Sequence, residues 1–135
     1  TYVPMFNLDS ETLCRKKIEE ARRQVVSIAE EVLQQKKVWK VHEGGAAWLK
    51  TYAVNPLFVR FTISSKGFHV DEGCISCGIC AKSCPVGNIS MTDGRPVWRK
   101  QCIHCMACVH ACPREVIQYG KTTRNKGRYR LADYL

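Results

Sequence analysis

Eight cysteines carry the chemistry of this chain. Cys74, Cys77, Cys80 and Cys84 lie in CISCGICAKSCP (residues 74–85), and Cys102, Cys105, Cys108 and Cys112 lie in CIHCMACVHACP (residues 102–113). Both runs have the form Cys-x2-Cys-x2-Cys-x3-Cys-Pro, and the second repeats the first at an offset of 28 residues in all four positions, which marks an internal duplication. Thiols at this density either cross-link the chain or bind metal. A disulfide framework spreads its cysteines over the elements to be stapled, whereas these are crowded into two short runs. Zinc is the stronger rival, but zinc sites join two Cys-x2-Cys pairs across a longer connection and do not need a third cysteine at the same spacing. A four-iron cubane presents four corners, and Cys-x2-Cys-x2-Cys lets one tight loop ligate three of them. The fourth corner is reached from elsewhere, and in runs of this form the fourth cysteine ligates the other of two clusters. The spacing points to two [4Fe-4S] clusters, with zinc and disulfides as the weaker alternatives.

The elements that position these thiols follow from the same residues. Cys80 to Cys84 and Cys108 to Cys112 each span one turn of helix. Pro85 and Pro113 disfavour helix at the residue before them, so each fourth cysteine should end a short helix and lead into extended chain. The duplication continues into the flanks, where Val70 matches Trp98 and Ile89 matches Ile117 at the same offset of 28. These four are candidate core contacts. Ile89-Ser-Met91 and Pro96-Val-Trp98, joined through Thr92-Asp93-Gly94-Arg95, read as a hairpin because Asp-Gly favours a tight turn. His104 and His110, which lie between ligand positions, are expected to tune the site through hydrogen bonds to sulfur, and His42 and His69 carry no functional expectation.

Upstream, Asp9 or Ser10 is placed to cap a helix running to about Lys37. Cys14, Ile18, Ala21, Val25, Ile28 and Val32 recur at alternating steps of four and three, giving that helix one apolar face. Such a face must lie against something: the protein's own core first, with a partner sheet outside this sequence as part of it, or a second copy. Cys14 lies on the face as a buried, inert thiol rather than a ninth ligand. His42-Glu-Gly-Gly45 reads as a break, Ala46 to Tyr52 as a short helix, and Asn55-Pro56 as the cap and first position of another, with a strand near Ile63 as the alternative.

With 135 residues the chain can build one modest domain or a small domain with a helical attachment. Outside the cysteine runs its longest uninterrupted apolar run is Ala46-Ala47-Trp48-Leu49, and its first thirty residues are rich in charge, so neither a membrane span nor a secretory signal is expected and the cytoplasm is the expected compartment. The first residue is Thr, which raises the expectation of further sequence upstream. The net charge of +9 lies mostly at the ends: residues 1–70 carry 11 basic and 7 acidic side chains, 71–119 carry 5 and 4, and 120–135 carry 5 and 1. Eight thiolates and two oxidised cores would bring the total to about +5. Lys121, Arg124, Lys126, Arg128 and Arg130 form a basic tail, either solvated or a docking site for an acidic redox partner. Nucleic acid is not expected as a partner, because aromatic residues do not alternate with these charges except at Tyr129.

Residues 69 to 119 resemble a bacterial-type two-cluster ferredoxin. The segments NPLFVRFTISSKGF, CISCGICAKSCPVGNI, DGRPVW and CIHCMACVHACP, with the basic end after Tyr119, are similar to the flavodoxin–ferredoxin fusions called ferrodoxins, in which a flavin-binding domain precedes the two-cluster module. The resemblance implies an α+β fold: a two-fold pseudo-symmetric ferredoxin module of short helices and small antiparallel strands around two clusters, preceded by a long amphipathic helix. It divides the chain into a helical segment at 1–66, a remnant of a flavodoxin-like domain; the two-cluster domain at 67–120; and the tail at 121–135. TYVPMF then looks like the closing strand of the flavodoxin-like part. No Ser/Thr/Gly-rich phosphate loop is present, so FMN is not expected on this chain. Cys74, Cys77, Cys80 and Cys112 are expected to hold one cluster, and Cys102, Cys105, Cys108 and Cys84 the other. The function this implies is single-electron transfer to redox partners, a flavodoxin-like domain or flavoenzyme among them, with no catalytic turnover and no membrane. The alternative is a nucleic-acid-binding or assembly protein in which the clusters are structural.

Overall fold

The computed structural model describes residues 2–41 and 44–135; His42 and Glu43 of the expected break lie outside the described residues. Helix α1 spans Glu11–Leu33 and begins at Ser10, whose hydroxyl accepts from the Leu13 N–H at 3.3 Å. It stops short of Lys37 for a local reason. Gln35 takes a left-handed conformation at φ 51°, the Gln35 N–H donates to the Val32 carbonyl, and the Lys36 N–H donates to the Glu31 carbonyl. Those two bonds are a Schellman ending, which uses up the last carbonyls of the helix and turns the chain away. The expected packing of the apolar face is not found. Cys14 is buried as expected, but Val25, Ile28 and Val32 are exposed, Val32 at 69%.

The second helical stretch is continuous rather than divided. Helix α2 (Ala47–Leu49) runs into a π-helical segment, Lys50–Val54, and then into α3 (Asn55–Thr62). Asn55 is itself helical and caps nothing. Pro56 explains the wide turn: it has no N–H to give, and its ring would press on the carbonyl four residues back, so the preceding turn opens and the Asn55 N–H donates to the Lys50 carbonyl instead. Ile63 follows in extended backbone, without a strand.

The cysteine-rich region is built from β1 (Phe68–Val70), α4 (Ile79–Lys82), β2 (Ile89–Thr92), β3 (Arg95–Trp98), α5 (Ala107–Ala111) and β4 (Ile117–Tyr119), a mixture of short helices and small antiparallel strands. β2 and β3 form the expected hairpin, one residue longer in each strand, around Asp93 and Gly94 at φ 49° and 74°. β1 pairs with β4, so the first strand of the region closes on the last, with Val70 opposite Ile117 as Ile89 is opposite Trp98. Ile89 and Ile117 are buried in the small core, with Phe68, Met106 and Val109, while Val70 and Trp98 pack against it half-buried. Phe68 stacks on Trp98 at 5.6 Å between ring centroids.

Both chain ends fold onto this region. Val3 is fully buried in the core, and Tyr2 to Phe6 form a turn, with Met5 and Phe6 N–H groups donating to the Tyr2 carbonyl, so the described part of the expected closing strand, residues 2–6, is not a strand; Thr1 lies outside the described residues. The basic tail is not solvated throughout. Lys126 Nζ donates to the Val3 carbonyl at 2.8 Å. The guanidinium of buried Arg128 donates to the carbonyls of Lys126, Glu115 and Ile117 at 2.7, 3.2 and 3.2 Å. Among the described residues no helix is long and apolar enough to cross a membrane.

Candidate metal centre

Each cysteine run starts as a loop, because backbone in the left-handed region keeps it from becoming helix. Ser76 and Gly78 in the first run, and His104 and Met106 in the second, have φ of 56°, 68°, 59° and 61°. These are the same two positions, 28 residues apart. Gly takes that conformation freely; Met106, fully buried, is held in it by its packing. The third cysteine of each run, Cys80 or Cys108, then lies in the short helix, α4 or α5. The fourth lies at the exit. The Gly87 N–H donates to the Cys84 carbonyl across Pro85-Val86, and the Glu115 N–H donates to the Cys112 carbonyl across Pro113-Arg114, both at 3.1 Å. The chain leaves the helix at both sites, but α4 ends at Lys82, two residues before Cys84, and each proline opens a tight turn rather than the expected extended chain.

Two pockets lie in this region. Cys74, Cys77, Cys80 and Cys112 line the first, with Met91, Pro96, Val116 and Ile117 among its apolar walls. Cys84, Cys102, Cys105 and Cys108 line the second, with Phe68, Ile89, Asn88 and Trp98. Each cavity thus draws three cysteines from one run and one from the other. Among the described residues no three His, Cys, Asp or Glu side chains converge closely enough to hold a single metal ion. The thiols stand around the walls of a larger space, an arrangement that suits a polynuclear group better than zinc.

The walls are largely apolar, and the deeper thiols respond, while Cys77 and Cys105 stand exposed. Burial pushes Cys80 and Cys102 above the ordinary thiol range and Cys108 up to about 11. A metal that takes these groups as thiolates must therefore displace protons. The second cavity also carries N–H groups aimed at sulfur. The Asn88 N–H donates to Cys84 Sγ at 3.2 Å, and the His104 N–H to Cys102 Sγ at 3.4 Å. Asn88 Nδ2 is buried without an acceptor among the described residues, and Trp98 Nε1, buried too and in no well-formed hydrogen bond there, faces the Cys108 thiol and works against the effect of burial on it. A buried donor left so costs about 1–3 kcal/mol, and an anionic group in the cavity would supply the acceptor. By that criterion the residues present fit an iron–sulfur cluster.

Comparison with known proteins agrees. Residues 73–117 match the 4Fe-4S dicluster domain family. The chain carries a 4Fe-4S ferredoxin-like domain. The match indicates 4Fe-4S cluster binding. The chain is 40% identical over 49 residues to a component of the ion-translocating oxidoreductase complex of Methanosarcina acetivorans, a stretch that is 36% of this chain and 19% of that protein. It is 36% identical over 67 residues to an Escherichia coli K12 protein named for electron transport, YccM, a stretch covering 47% of this chain and 18% of that one. The chain therefore spans about a fifth of the length of these curated relatives.

The two histidine side chains make their hydrogen bonds to groups other than cysteine sulfur, and His104 Nε2 is buried without a partner among the described residues. The Tyr2 hydroxyl and His104 Nδ1 are hydrogen-bonded to each other, and the His104 ring sits in a cage of Tyr2, Phe68 and Tyr119. Burial lowers its pKa and keeps it neutral. His110 Nδ1 accepts from the Tyr129 N–H at 3.1 Å. Among the described residues neither imidazole bonds to sulfur; His104 reaches a thiol only through its backbone. Asn88 was not singled out from the sequence, and Trp98 only as a core contact. One signal marks both. The repeat puts Val116 where Asn88 stands and Val70 where Trp98 stands, so each is a polar departure from an otherwise matched pair.

Proposed function

We propose that this chain transfers single electrons through two [4Fe-4S] clusters, one held by Cys74, Cys77, Cys80 and Cys112 and the other by Cys102, Cys105, Cys108 and Cys84, and that it turns over no substrate itself. The observation that carries the reading is the lining of the two cavities, each by four cysteines drawn crosswise from the two runs. When bound, a [4Fe-4S] cluster supplies a reversible one-electron centre. The residues do the rest. The first three cysteines of a run form a tight loop on left-handed backbone, and the proline exit carries the fourth across to the other site. Met91, Pro96, Val116 and Ile117 on one side, and Phe68, Ile89 and Met106 on the other, give each site an apolar wall behind its buried cysteines.

The two halves are read as related by a pseudo-two-fold axis. Support comes from the strand register, in which Val70–Ile117 and Trp98–Ile89 are images of each other under the 28-residue shift. The chain acts as a soluble cytoplasmic carrier or as the ferredoxin module of a larger, flavin-containing redox protein, exchanging electrons with a flavodoxin-like domain or flavoenzyme.

The test is an anaerobic preparation. It should be brown, contain about eight irons per chain, and bleach under dithionite and recover on reoxidation without loss of iron. A colourless protein with stoichiometric zinc overturns the reading. Clusters that lose iron on reduction favour a structural role instead.

A further inference from the structure

The two cavities are alike in their thiols and unlike in their walls. Where the first has Val116, the second has Asn88, which is 2% exposed; where the repeat has Val70, the second cavity has Trp98. The Asn88 amide is not free to rotate. Its Oδ1 accepts from the Gln101 N–H at 2.8 Å and its backbone carbonyl from the Arg99 N–H at 2.8 Å, which leaves Nδ2 as the donor without a partner. Trp98 is fixed by stacking on Phe68 and by its pairing with Ile89 across the hairpin. Both side chains therefore present a buried N–H, in a held orientation, at the wall of one cavity and not at the corresponding positions of the other.

We propose that Asn88 and Trp98 are potential-setting residues: their side-chain N–H groups donate to sulfur of the cluster held by Cys84, Cys102, Cys105 and Cys108, and raise its reduction potential relative to the same site without them. This rests on the two-cluster reading above. The physical reason is charge. Adding one electron makes the cluster more negative, no bond is broken and no proton is taken up, and a fixed N–H dipole in a largely apolar wall stabilises the more negative state more. Cations act at the other cavity, where Arg114 lies in the wall and Arg130 donates to the Cys112 carbonyl at 3.4 Å. They are at least partly exposed, so salt screens them, whereas the two buried donors are not screened.

The experiment is a redox titration of the holoprotein with dithionite, followed by electron paramagnetic resonance, with iron counted in the same samples. Trp98→Phe removes the indole N–H and keeps the ring; Asn88→Val copies the other half of the repeat. Each should shift one reduction equilibrium about tenfold toward the oxidised form, equivalent to about 59 mV for one electron. Both should move the same step and leave the other in place. Val116→Asn should shift the opposite step the other way. Labelling the tryptophan indoles with 15N gives a readout that does not depend on stability: the step lowered by Trp98→Phe should show a 15N coupling in pulsed measurements, and the variant should lose it. Eight irons with unmoved steps, with the two variants acting on different steps, or with no 15N coupling would overturn the proposal alone. About four irons would overturn the two-cluster reading and this proposal with it.

Discussion

The ferredoxin-like domain and the helices that precede it use similar apolar residues to opposite ends. In the domain, Ile117 is 2% exposed and Val109 fully buried, and every short element closes on another. In α1 and in the stretch from α2 to α3, Val32, Trp48 and Phe61 stand 69%, 72% and 74% exposed. The difference is in what specifies burial. Cysteine spacing is a local instruction, because a loop of seven residues and a proline exit define where four thiols go whatever lies around them. Apolar periodicity specifies that a helix has a face, and leaves the identity of its cover to the rest of the molecule.

That contrast can be broken most sharply by removing iron. Chelation under reducing conditions should abolish the tertiary structure of residues 67–120, whose cavities would leave eight thiols and two buried donors without partners, while α1, which owes little to the core, keeps most of its helicity. Near-ultraviolet circular dichroism should collapse while the far-ultraviolet helical signal falls only in part. Parallel loss of both signals would show that α1 depends on the domain.

Next in size is the loss of one ligand, which tests the crosswise assignment. Cys112→Ala should leave the site of Cys102, Cys105 and Cys108 complete through Cys84, and should take a corner from the site of Cys74, Cys77 and Cys80, which then tends toward a three-iron cluster. Combined with Cys105→Ser as a spectroscopic marker, Cys84→Ala should damage one cluster and Cys112→Ala two, as read by electron paramagnetic resonance. The reverse pattern would mean that each run closes its own site.

The legibility of the sequence follows the same division. The two runs, the Asp93-Gly94 hairpin, the departure from the helix before each proline and the pairing of Ile89 with Trp98 were readable because each depends on spacing or on one residue's backbone preference. The burial of Arg128, the capture of Val3 by the core and the fixing of Asn88 were not readable. Each depends on contacts between residues far apart in sequence: Arg128 is 11 residues from the Ile117 carbonyl it binds, and Lys126 is 123 residues from Val3. The wide turn at Lys50–Val54 falls between these cases. Pro56 announced a disturbance, and the expectation of a helix start was a reasonable reading of it, but the geometry chose to widen the turn and keep the helix.

Smaller effects sharpen the comparison between buried and exposed apolar side chains. In the holoprotein, Ile117→Ala should cost about 2–5 kcal/mol, the range for truncating a buried Ile in a packed core. Val32→Ala should fall within about 0.5 kcal/mol, as for an exposed position. Denaturant melts of both variants at equal iron content would check this. A cost above about 1 kcal/mol at Val32 would mean that the α1 face is covered in solution, by a second copy or by another segment, and would place it with the domain core rather than opposite it.

The smallest expected effect lies at the end of α1, where the limit of the helix is purely local. Gln35 holds φ 51° to let the Lys36 N–H reach the Glu31 carbonyl and its own N–H reach Val32. A side chain in that conformation is strained by about 1–2 kcal/mol, because its Cβ crowds the following carbonyl. Gln35→Gly removes the crowding but gives the unfolded chain more freedom, which offsets about 0.4–1 kcal/mol of the gain. The net should be stabilisation of the last turn by about 0.5 kcal/mol, seen as slower amide exchange at Gln34, Gln35 and Lys36 with the iron content unchanged. Gln35→Pro should act in the opposite direction, since proline cannot adopt a positive φ and has no N–H for Val32. If Gln35→Gly instead loosens those amides, the side chain of Gln35 is contributing a contact that holds the turn, and the end of α1 belongs with the features set by distant parts of the fold.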